Sequence, residues 1–281
     1  MWKSTSQIKD MLGFSSGLGL VIVSLFLGIA LVVGLFPGIV GYDPFQISAT
    51  GILLPPSYTY LFGTDNLGRS IVKEVLIAIP LDAFVSLGVV VVSVAVGGVL
   101  GALAGYVGGR ADEIIMRVTD MFLSFPALIL AVGISATLGP GATNAMISII
   151  VVDWPTYARF ARGDALAIRD QAFVKAARFN GRNITYILRK HIFPNIAPSL
   201  ISYASVDMGF AIITLSILGY LGLGAQPPAV ELGMLVFQGQ SYLSNAPWFS
   251  LIPGAIILIV TIGFSFVGDA LRDVLDPTRR K

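Results

Sequence analysis

The sequence contains no cysteine and only one histidine, His191. Without thiols the chain can form neither disulfides nor thiolate metal sites, and a single imidazole excludes a histidine-cluster metal centre. The chain also contains no Gly-x-x-x-x-Gly-Lys-Ser/Thr phosphate loop, so it is not expected to hydrolyse ATP. We therefore predict no catalytic residue and no metal site.

Charged residues are scarce as well. Only 12% of the 281 residues are charged, 55% are hydrophobic, and the mean hydropathy is +0.83. The apolar residues form long unbroken runs, and a membrane span needs about 20 such residues to cross about 30 Å of hydrocarbon. Six stretches reach or approach that length: about 15–36, 82–106, 115–138, 143–158, 198–222 and 248–268. The sequence thus predicts an all-α membrane protein with six transmembrane helices.

The positive charges indicate an orientation, because Lys and Arg near span ends stay on the cytoplasmic side. With the N-terminus inside the cell, 16 of the 18 Lys and Arg fall in cytoplasmic segments, and only Arg69 and Lys73 lie outside. The 16 are Lys3, Lys9, Arg110, Arg117, Arg159, Arg162, Arg169, Lys175, Arg178, Arg182, Arg189, Lys190, Arg272, Arg279, Arg280 and Lys281. We predict cytoplasmic termini and a multi-pass protein of the cell membrane.

Three regions follow from the predicted spans. Residues 1–81 hold the first span and a long external loop, residues 82–274 hold the transmembrane core, and residues 275–281 form a cytoplasmic tail. The stretch SIVKEVLIAI, 70–79, ends the external loop and is compatible with a helix on the outer surface.

A polar, basic segment, AFVKAARFNGRNITYILRKHIFPN, interrupts the apolar chain at 172–195. Good helix formers run from Asp164 to Gly181, a natural helix stop. Asn183 can cap a second helix, whose last turn is basic, as the helix dipole favours, and which Pro194 ends. We predict two helices around Gly181 on the cytoplasmic surface.

Three functions fit such a segment. A basic amphipathic loop can lie on anionic lipid, where each Lys or Arg contributes about 1 kcal/mol. A helix-turn-helix can bind nucleic acid, but the chain has no further basic domain to support that reading. A docking hairpin can use the small residues Ala176, Ala177 and Gly181 to let a partner protein approach closely. Composition does not choose between lipid and a partner protein.

The stretch KAARFNGRNITYILRKHIFPN resembles the cytoplasmic "EAA" loop of ABC-importer permeases. The motif has two alanines, a glycine four residues later and an Ile-x-Pro about a dozen residues on. Its positions here are Ala176, Ala177, Gly181, Ile192 and Pro194.

Other stretches resemble one branch of that family, the dipeptide, oligopeptide and nickel permeases. FGTDNLGRS in the outer loop matches the branch signature at Gly63, Thr64, Asp65, Gly68 and Arg69. Three later stretches also match this branch, in the right order: AGYVGGRADEIIMRVTDMFLSFPALILA, LGLGAQPP and GDALRDVLDPTRR. The likeness covers nearly the whole chain, which is identified as a member of this family, of the C-type permease subunits.

The resemblance implies partners and a division of labour. It implies a second homologous permease, two cytoplasmic ATPases that dock on the hairpins, an extracytoplasmic binding protein and surrounding lipid, but no nucleic acid. ATP and Mg would be bound by the ATPases, so no cofactor is expected on this chain. The EAA-like loop, about 164–195, would be the coupling hairpin between spans 4 and 5. Its implied coupling residues are Lys175, Ala176, Ala177, Arg178, Gly181, Ile192 and Pro194.

The chain departs from the family pattern at Lys175, where the motif has an acidic residue. This reverses a charge at the expected docking surface and leaves its pairing open. The implied cargo is peptides, with oligosaccharides or nickel as alternatives, because specificity in such importers is set by the binding protein.

Ionisable residues within spans cost about 2.5–3.5 kcal/mol each on insertion scales, so they should face protein or water. Asp207, with Tyr203 nearby, either lines the translocation path or hydrogen-bonds to a neighbouring helix, and the sequence favours neither. Asp153 is expected to cap a helix or to pair locally with an arginine. Asp82, at the outer end of its span, is expected to be solvated.

Two rival classes fit less well. A proton-driven secondary transporter would show ionisable residues near the midplane and an internal repeat, whereas Asp207 is nearly alone and no repeat is evident. An intramembrane enzyme would need a Ser with His or Lys, paired aspartates or a metal cluster within the spans, and the sequence indicates none.

Overall fold

The computed structural model describes residues 5–48 and 50–275, with side chains described over 15–48 and 50–274. The described helices are α1 (Thr5–Leu35), α2 (Ile71–Val107), α3 (Gly109–Leu123), α4 (Ala127–Leu138), α5 (Ala142–Ile168), α6 (Ala172–Phe179), α7 (Ile184–Ile187), α8 (Phe193–Tyr220), α9 (Leu232–Gln240) and α10 (Trp248–Leu275). A π-helical turn, Leu188–Ile192, joins α7 to α8. Within the described residues the fold is all-helical, as predicted, apart from one isolated bridge between Thr64 and Ser70.

Four helical stretches are long and apolar enough to cross a membrane: Ser15–Leu35, Ile71–Val107, Ile184–Tyr220 and Trp248–Val274. Helices α3 and α4 pass the same test only as a bent pair, which gives up to five candidate spans in the described part. The fourth predicted span lies in α5, which is not among them. Six spans and cytoplasmic termini stay predictions, and residues 1–4 and 276–281 lie outside the described part.

The third predicted span, 115–138, is not one helix. Helix α3 ends at Leu123, and α4 begins at Ala127 immediately after Pro126, at an angle of 86°. Proline lacks a backbone N–H, and the residue before it avoids the helical conformation, so a helix stops there. The straight-span prediction was wrong because the apolar run was weighed without this proline.

Helix α2 is longer than predicted. It begins at Ile71 instead of near residue 82, contains Pro80, and covers 37 residues, about 55 Å at 1.5 Å per residue. The stretch 70–79 is therefore not a separate surface helix, because from Ile71 onward it is the first part of α2.

Helices α2 and α5 touch backbone to backbone along a glycine stripe with a spacing of four residues: Gly97, Gly101 and Gly105. A Cβ at Gly101 would overlap the carbonyl group of Ala158 on α5, and a Cβ at either of the other two would also collide with the α5 backbone. Small residues at this spacing let membrane helices approach closely. The stripe therefore holds α2 and α5 together as one unit.

Buried side chains form two clusters. The larger joins α1, α2, α5, α8, α9 and α10 through residues such as Ile71, Ile212 and Phe249. The smaller, the hairpin-base cluster, joins α2, α5 and the start of α8 to the chain between α5 and α8. Its members are Ala102, Tyr157, Ala161, Ala165, Val174, Ala177, Ile187, Ile192, Ile196 and Leu200.

The predicted helical hairpin is present with different bounds. Helix α5 ends at Ile168 and α6 begins at Ala172, so the helix expected from Asp164 to Gly181 is broken at 169–171. Pro194 does not end the second helix. It lies in the first turn of α8, where a proline's missing N–H has no intrahelical partner to lose, and the π-helical turn runs directly into α8.

We expect Gly101→Ala to lower the free energy of unfolding by about 1–3 kcal/mol, the usual cost of overpacking a close contact. The measurement is thermal or SDS-induced unfolding of the purified full chain in detergent. Gly163→Ala is the matched control, because Gly163 lies on α5 with no heavy atom within 4 Å of the added Cβ. Alanine favours helices intrinsically, so equal behaviour of the two variants would refute the tight contact.

Candidate functional site

The hairpin consists of α6, a turn at Gly181 and α7. Gly181 has φ of +70°, a left-handed conformation that favours glycine. The backbone N–H of Tyr186 donates a hydrogen bond of 2.9 Å to Oδ1 of Asn183, which confirms Asn183 as the cap of the second helix. The turn between the two helices is therefore built as the sequence predicts.

One side of the hairpin is fixed to the spans. Val174 and Ala177 of α6 are buried in the hairpin-base cluster, as are Ile187 and Ile192 beyond the turn. They pack together with residues of α2, α5 and the start of α8. The hairpin is therefore a packed extension of these helices and not a loose loop.

The other side of the hairpin is an apolar surface. Phe179 is 89% exposed, and Phe173, Ile184 and Tyr186 are exposed as well. The guanidinium of Arg182 lies over the Tyr186 ring, 4.8 Å from its centroid. We call Phe173, Phe179, Ile184 and Tyr186 the hairpin patch. Exposed apolar patches with polar neighbours mark interaction sites.

The predicted coupling residues divide between these two sides. Ala177 and Ile192 are buried. The other five are exposed: Lys175, Ala176, Arg178, Gly181 and Pro194. Of the two motif alanines, only Ala176 is therefore placed for close approach by a partner. The role of all seven residues in coupling stays a prediction.

Lys175, the departure from the family motif, has an acidic neighbour within its own chain. Its Nζ lies 3.8 Å from Oδ1 of Asp170, and both side chains are exposed. An exposed pair at this distance contributes little to stability. Lys175 therefore remains accessible to a partner.

Two ion pairs join α3 to α5 beside the hairpin. Arg162 donates to Asp112 at 2.7 Å from Nη2 and makes a second, parallel bond through Nε. Arg159 donates to Asp120 at 2.6 Å, but this pair is exposed. The two-pronged pair at Arg162 fixes the relative orientation of α3 and α5 more firmly than a single contact would.

In the outer loop, the signature residues Gly63, Thr64 and Gly68 shape the backbone. The Thr64 hydroxyl donates to the carbonyl oxygen of Gly51 and accepts a 2.8 Å bond from the N–H of Leu54. Gly63 and Gly68 have φ of +78° and +79°. These three positions fold the loop back on itself.

The charged signature residues Asp65 and Arg69 form a partly buried network. Asp65 is fully buried and accepts from Nε of Arg69 at 2.7 Å, while Nη2 of Arg69 lies 3.0 Å from Glu74 at the start of α2. Tyr42 is in contact with Glu74, and its burial and that negative charge raise the pKa of Tyr42 to about 12. The network ties the loop to α2.

Asp82 is not solvated, contrary to the expectation from its position at a span end. It is 1% exposed, and Oδ2 accepts a 3.2 Å bond from the N–H of Leu232, the first residue of α9. It therefore caps a helix that lies 150 residues away in the sequence.

Glu231, which the sequence did not single out, is also 1% exposed, and burial raises its pKa to about 7.

Asp207 is 5% exposed and accepts a 2.8 Å bond from the Tyr157 hydroxyl of α5. The ring of Tyr203 lies against that of Tyr157, with centroids 5.0 Å apart. The structural alternative for Asp207, a hydrogen bond to a neighbouring helix, is therefore realised. Its part in the translocation path, with Tyr203, stays a prediction.

Asp153 has no arginine partner in the described part of the chain, so the expected local ion pair is wrong. Its carboxyl group instead interacts with that of Asp207 on α8. The prediction that the spans hold no paired aspartates was also wrong. Asp153 and Asp207 are 54 positions apart and meet only because α5 packs against α8. The groups in contact with this pair in the described part of the chain are hydroxyls, such as those of Ser93 and Tyr157, and none is a lysine or a histidine.

Comparison with known proteins agrees with this architecture. Residues 97–281 match the family model of the binding-protein-dependent transport system inner membrane component. The chain is 43% identical over 241 residues to the probable D,D-dipeptide transport system permease protein of Escherichia coli strain K12, covering 86% of this chain and 81% of that protein. It is 35% identical to the di/tripeptide transport system permease protein of Pseudomonas aeruginosa, over 98% and 90% of the two chains.

A solved structure shares the fold. A chain of the inward-facing MetNI methionine ABC transporter superposes with a TM-score of 0.58 at 20% identity, covering 73% of this chain and 96% of that one. This family consists of membrane-embedded permease subunits of ABC importers, whose ATPase activity lies on separate subunits and which work with a substrate-binding protein. The chain belongs to the binding-protein-dependent transport system inner membrane component family.

Proposed function

We propose that this chain is one of two homologous permease subunits that together form the translocation path of an ATP-driven peptide importer. Two ATPases dock on the hairpins from the cytoplasm, and an external binding protein delivers the cargo. Relatives in several bacteria are named for the transport of D,D-dipeptides, dipeptides, di/tripeptides and glutathione. These names support peptides over oligosaccharides or nickel.

The proposed topology has six spans: α1, α2, the bent α3–α4 pair, α5, α8 and α10. In this arrangement the hairpin and both ends of the chain lie in the cytoplasm, and the loop between α1 and α2 lies outside. The support is the charge distribution, since 16 of 18 Lys and Arg then lie inside.

The exposure of the hairpin patch is the main support for docking of an ATPase on the hairpin. An 89% exposed phenylalanine at the tip of a helix whose opposite side is buried has no partner in the described chain. Large aromatic side chains dominate binding when they enter a partner's pocket. The hairpin patch is therefore the surface that an ATPase covers.

The packing at the base gives the hairpin a way to transmit motion. ATP binding on the partner subunits supplies the movement. Because Val174 and Ile187 are packed against α5 and α8, a displaced hairpin carries these helices with it as a rigid body. The Arg162–Asp112 pair adds α3 to the moving unit.

Phe179→Ala is expected to weaken ATPase binding about thirtyfold or more, because a centrally placed aromatic anchor contributes about 2 kcal/mol or more. The measurement is co-purification and titration of the ATPase subunit with the full transporter. Phe45→Ala is the control, since Phe45 is similarly exposed but lies in the external loop. Unchanged ATPase affinity in Phe179→Ala would contradict docking on this patch.

Arg162→Ala should reduce coupled uptake several-fold while leaving the folded chain in the membrane. Arg117→Ala is the matched control, because Arg117 pairs with Glu113 within α3 and joins no second helix. Restored uptake in the charge-swapped Arg162→Asp, Asp112→Arg variant would confirm that the pair itself matters. Equal uptake by Arg162→Ala and the parent protein would remove α3 from the moving unit.

The cargo is tested by reconstituting the chain with its permease, ATPase and binding-protein partners in liposomes. ATP-dependent uptake of a labelled dipeptide is the expected result. Uptake of an oligosaccharide or nickel without peptide uptake would contradict the assignment of peptides as the cargo. Transport by this chain alone under a proton gradient would contradict the ABC mechanism.

A further inference from the structure

We propose that Asp153 and Asp207 share a single proton, and so form a proton-binding site where α2, α5 and α8 meet. The site lies within the helical core, apart from the hairpin patch and the outer loop. The inference rests on the placement of these side chains and does not depend on the proposed cargo or partners.

The two carboxyl groups are brought together by helices distant in sequence. Asp207 of α8 is 5% exposed and accepts the Tyr157 hydroxyl hydrogen at 2.8 Å, in contact with a fully buried ring. Asp153 of α5 lies one helical turn before Tyr157, and its carboxyl group interacts with that of Asp207. Its Oδ2 is buried and has no donor in the described chain. Two carboxylates are acceptors only, so they can bond to each other only through a proton.

A third helix contributes an unassigned hydroxyl group. Ser93 of α2 is fully buried, and its Oγ has no regular hydrogen-bond partner. This hydroxyl group lies close enough to interact with the carboxyl group of Asp153. A buried hydroxyl without a fixed partner is costly, and a carboxyl group in reach offers it one.

The surroundings favour a proton over any other positive charge. The polar groups facing the pair are Tyr157, Tyr203 and Ser93, and no Lys, Arg or His within the described residues faces it. Two buried like charges without a cation are strongly unfavourable. One shared proton leaves a single negative charge, which the Tyr157 hydroxyl stabilises. Among the described residues, no cluster of three or more His, Asp or Glu side chains that could hold a metal ion includes this pair.

The shared proton also has a structural consequence. It turns a repulsive contact between α5 and α8 into a hydrogen bond at the end of the hairpin-base cluster, to which Tyr157 belongs. The pairing of these two helices therefore depends on the proton.

Infrared spectroscopy of the full-length chain in lipid tests the site directly. At about pH 8 an ordinary aspartate, with a pKa of about 3.9, is fully ionised and gives no protonated-carboxyl stretching band. The spectrum of the parent chain minus that of Asp153→Asn, Asp207→Asn should contain the band of one protonated carboxyl group. Asp43→Asn, which changes an exposed aspartate of the outer loop, should give no such difference.

If the two spectra show no difference in protonated carboxyl groups, the proposal is overturned, whether both groups are ionised or a sodium ion takes the proton's place. If they differ by two protonated carboxyl groups, the two aspartates do not share one proton. If the double variant does not fold, the aspartate carboxyls of the chain are instead labelled with ¹³C. The label is measured in the Asp82→Asn variant, which removes another buried aspartate from the count. The labelled band should then report one protonated aspartate, and none or two would again overturn the site.

Discussion

The backbone contact between α2 and α5 determines where most of the functional side chains lie. The glycine stripe removes side chains from the interface, so residues of α5 that flank the contact are fixed relative to α2. Tyr157 and Arg162 are themselves among the contacting α5 residues, and their side chains donate hydrogen bonds to Asp207 and Asp112. Both the core aspartate pair and the α3–α5 tie therefore depend on this one close approach.

The buried acidic residues show how local surroundings decide the fate of a carboxylate in an apolar protein. In the outer loop, Asp65 is fully buried but meets Arg69 and backbone N–H groups, so its charge is compensated. Asp82 meets the first N–H of α9, where the helix dipole favours a negative charge. Asp153 meets only another carboxyl group and hydroxyls. The same residue type is thus paired, used as a cap, or left to hold a proton.

Local features of the hairpin and the spans were predictable from the sequence, whereas long-range pairings were not. The Gly181 turn and the Asn183 cap depend on residues a few positions apart, and hydropathy alone located the long apolar helices. The bend at Pro126 was missed although proline is a local signal, because the apolar run outweighed it. The glycine stripe could have been found from its four-residue spacing.

Contacts such as Asp153 with Asp207 and Asp82 with Leu232 could not be predicted from one sequence. They join residues 54 and 150 positions apart, and neither periodicity nor capping rules connect such distant segments. The same limit explains why Asp82 was expected in solvent. The sequence placed it at a span end, whereas α2 begins eleven residues earlier, at Ile71, and the helix that covers it, α9, begins 150 residues later.

The motif that identifies the hairpin mixes two physical roles. Ala177 and Ile192 are buried and hold the hairpin to its base, whereas Lys175 and Arg178 are exposed beside Phe179. A change at a buried position alters the packing, but a change at an exposed one alters only what a partner meets. The reversed charge at Lys175 is therefore compatible with an intact hairpin, since Asp170 lies next to it and nothing in the base depends on it. On a docking surface of this kind, a complementary acidic group on the ATPase is the partner that this lysine would favour.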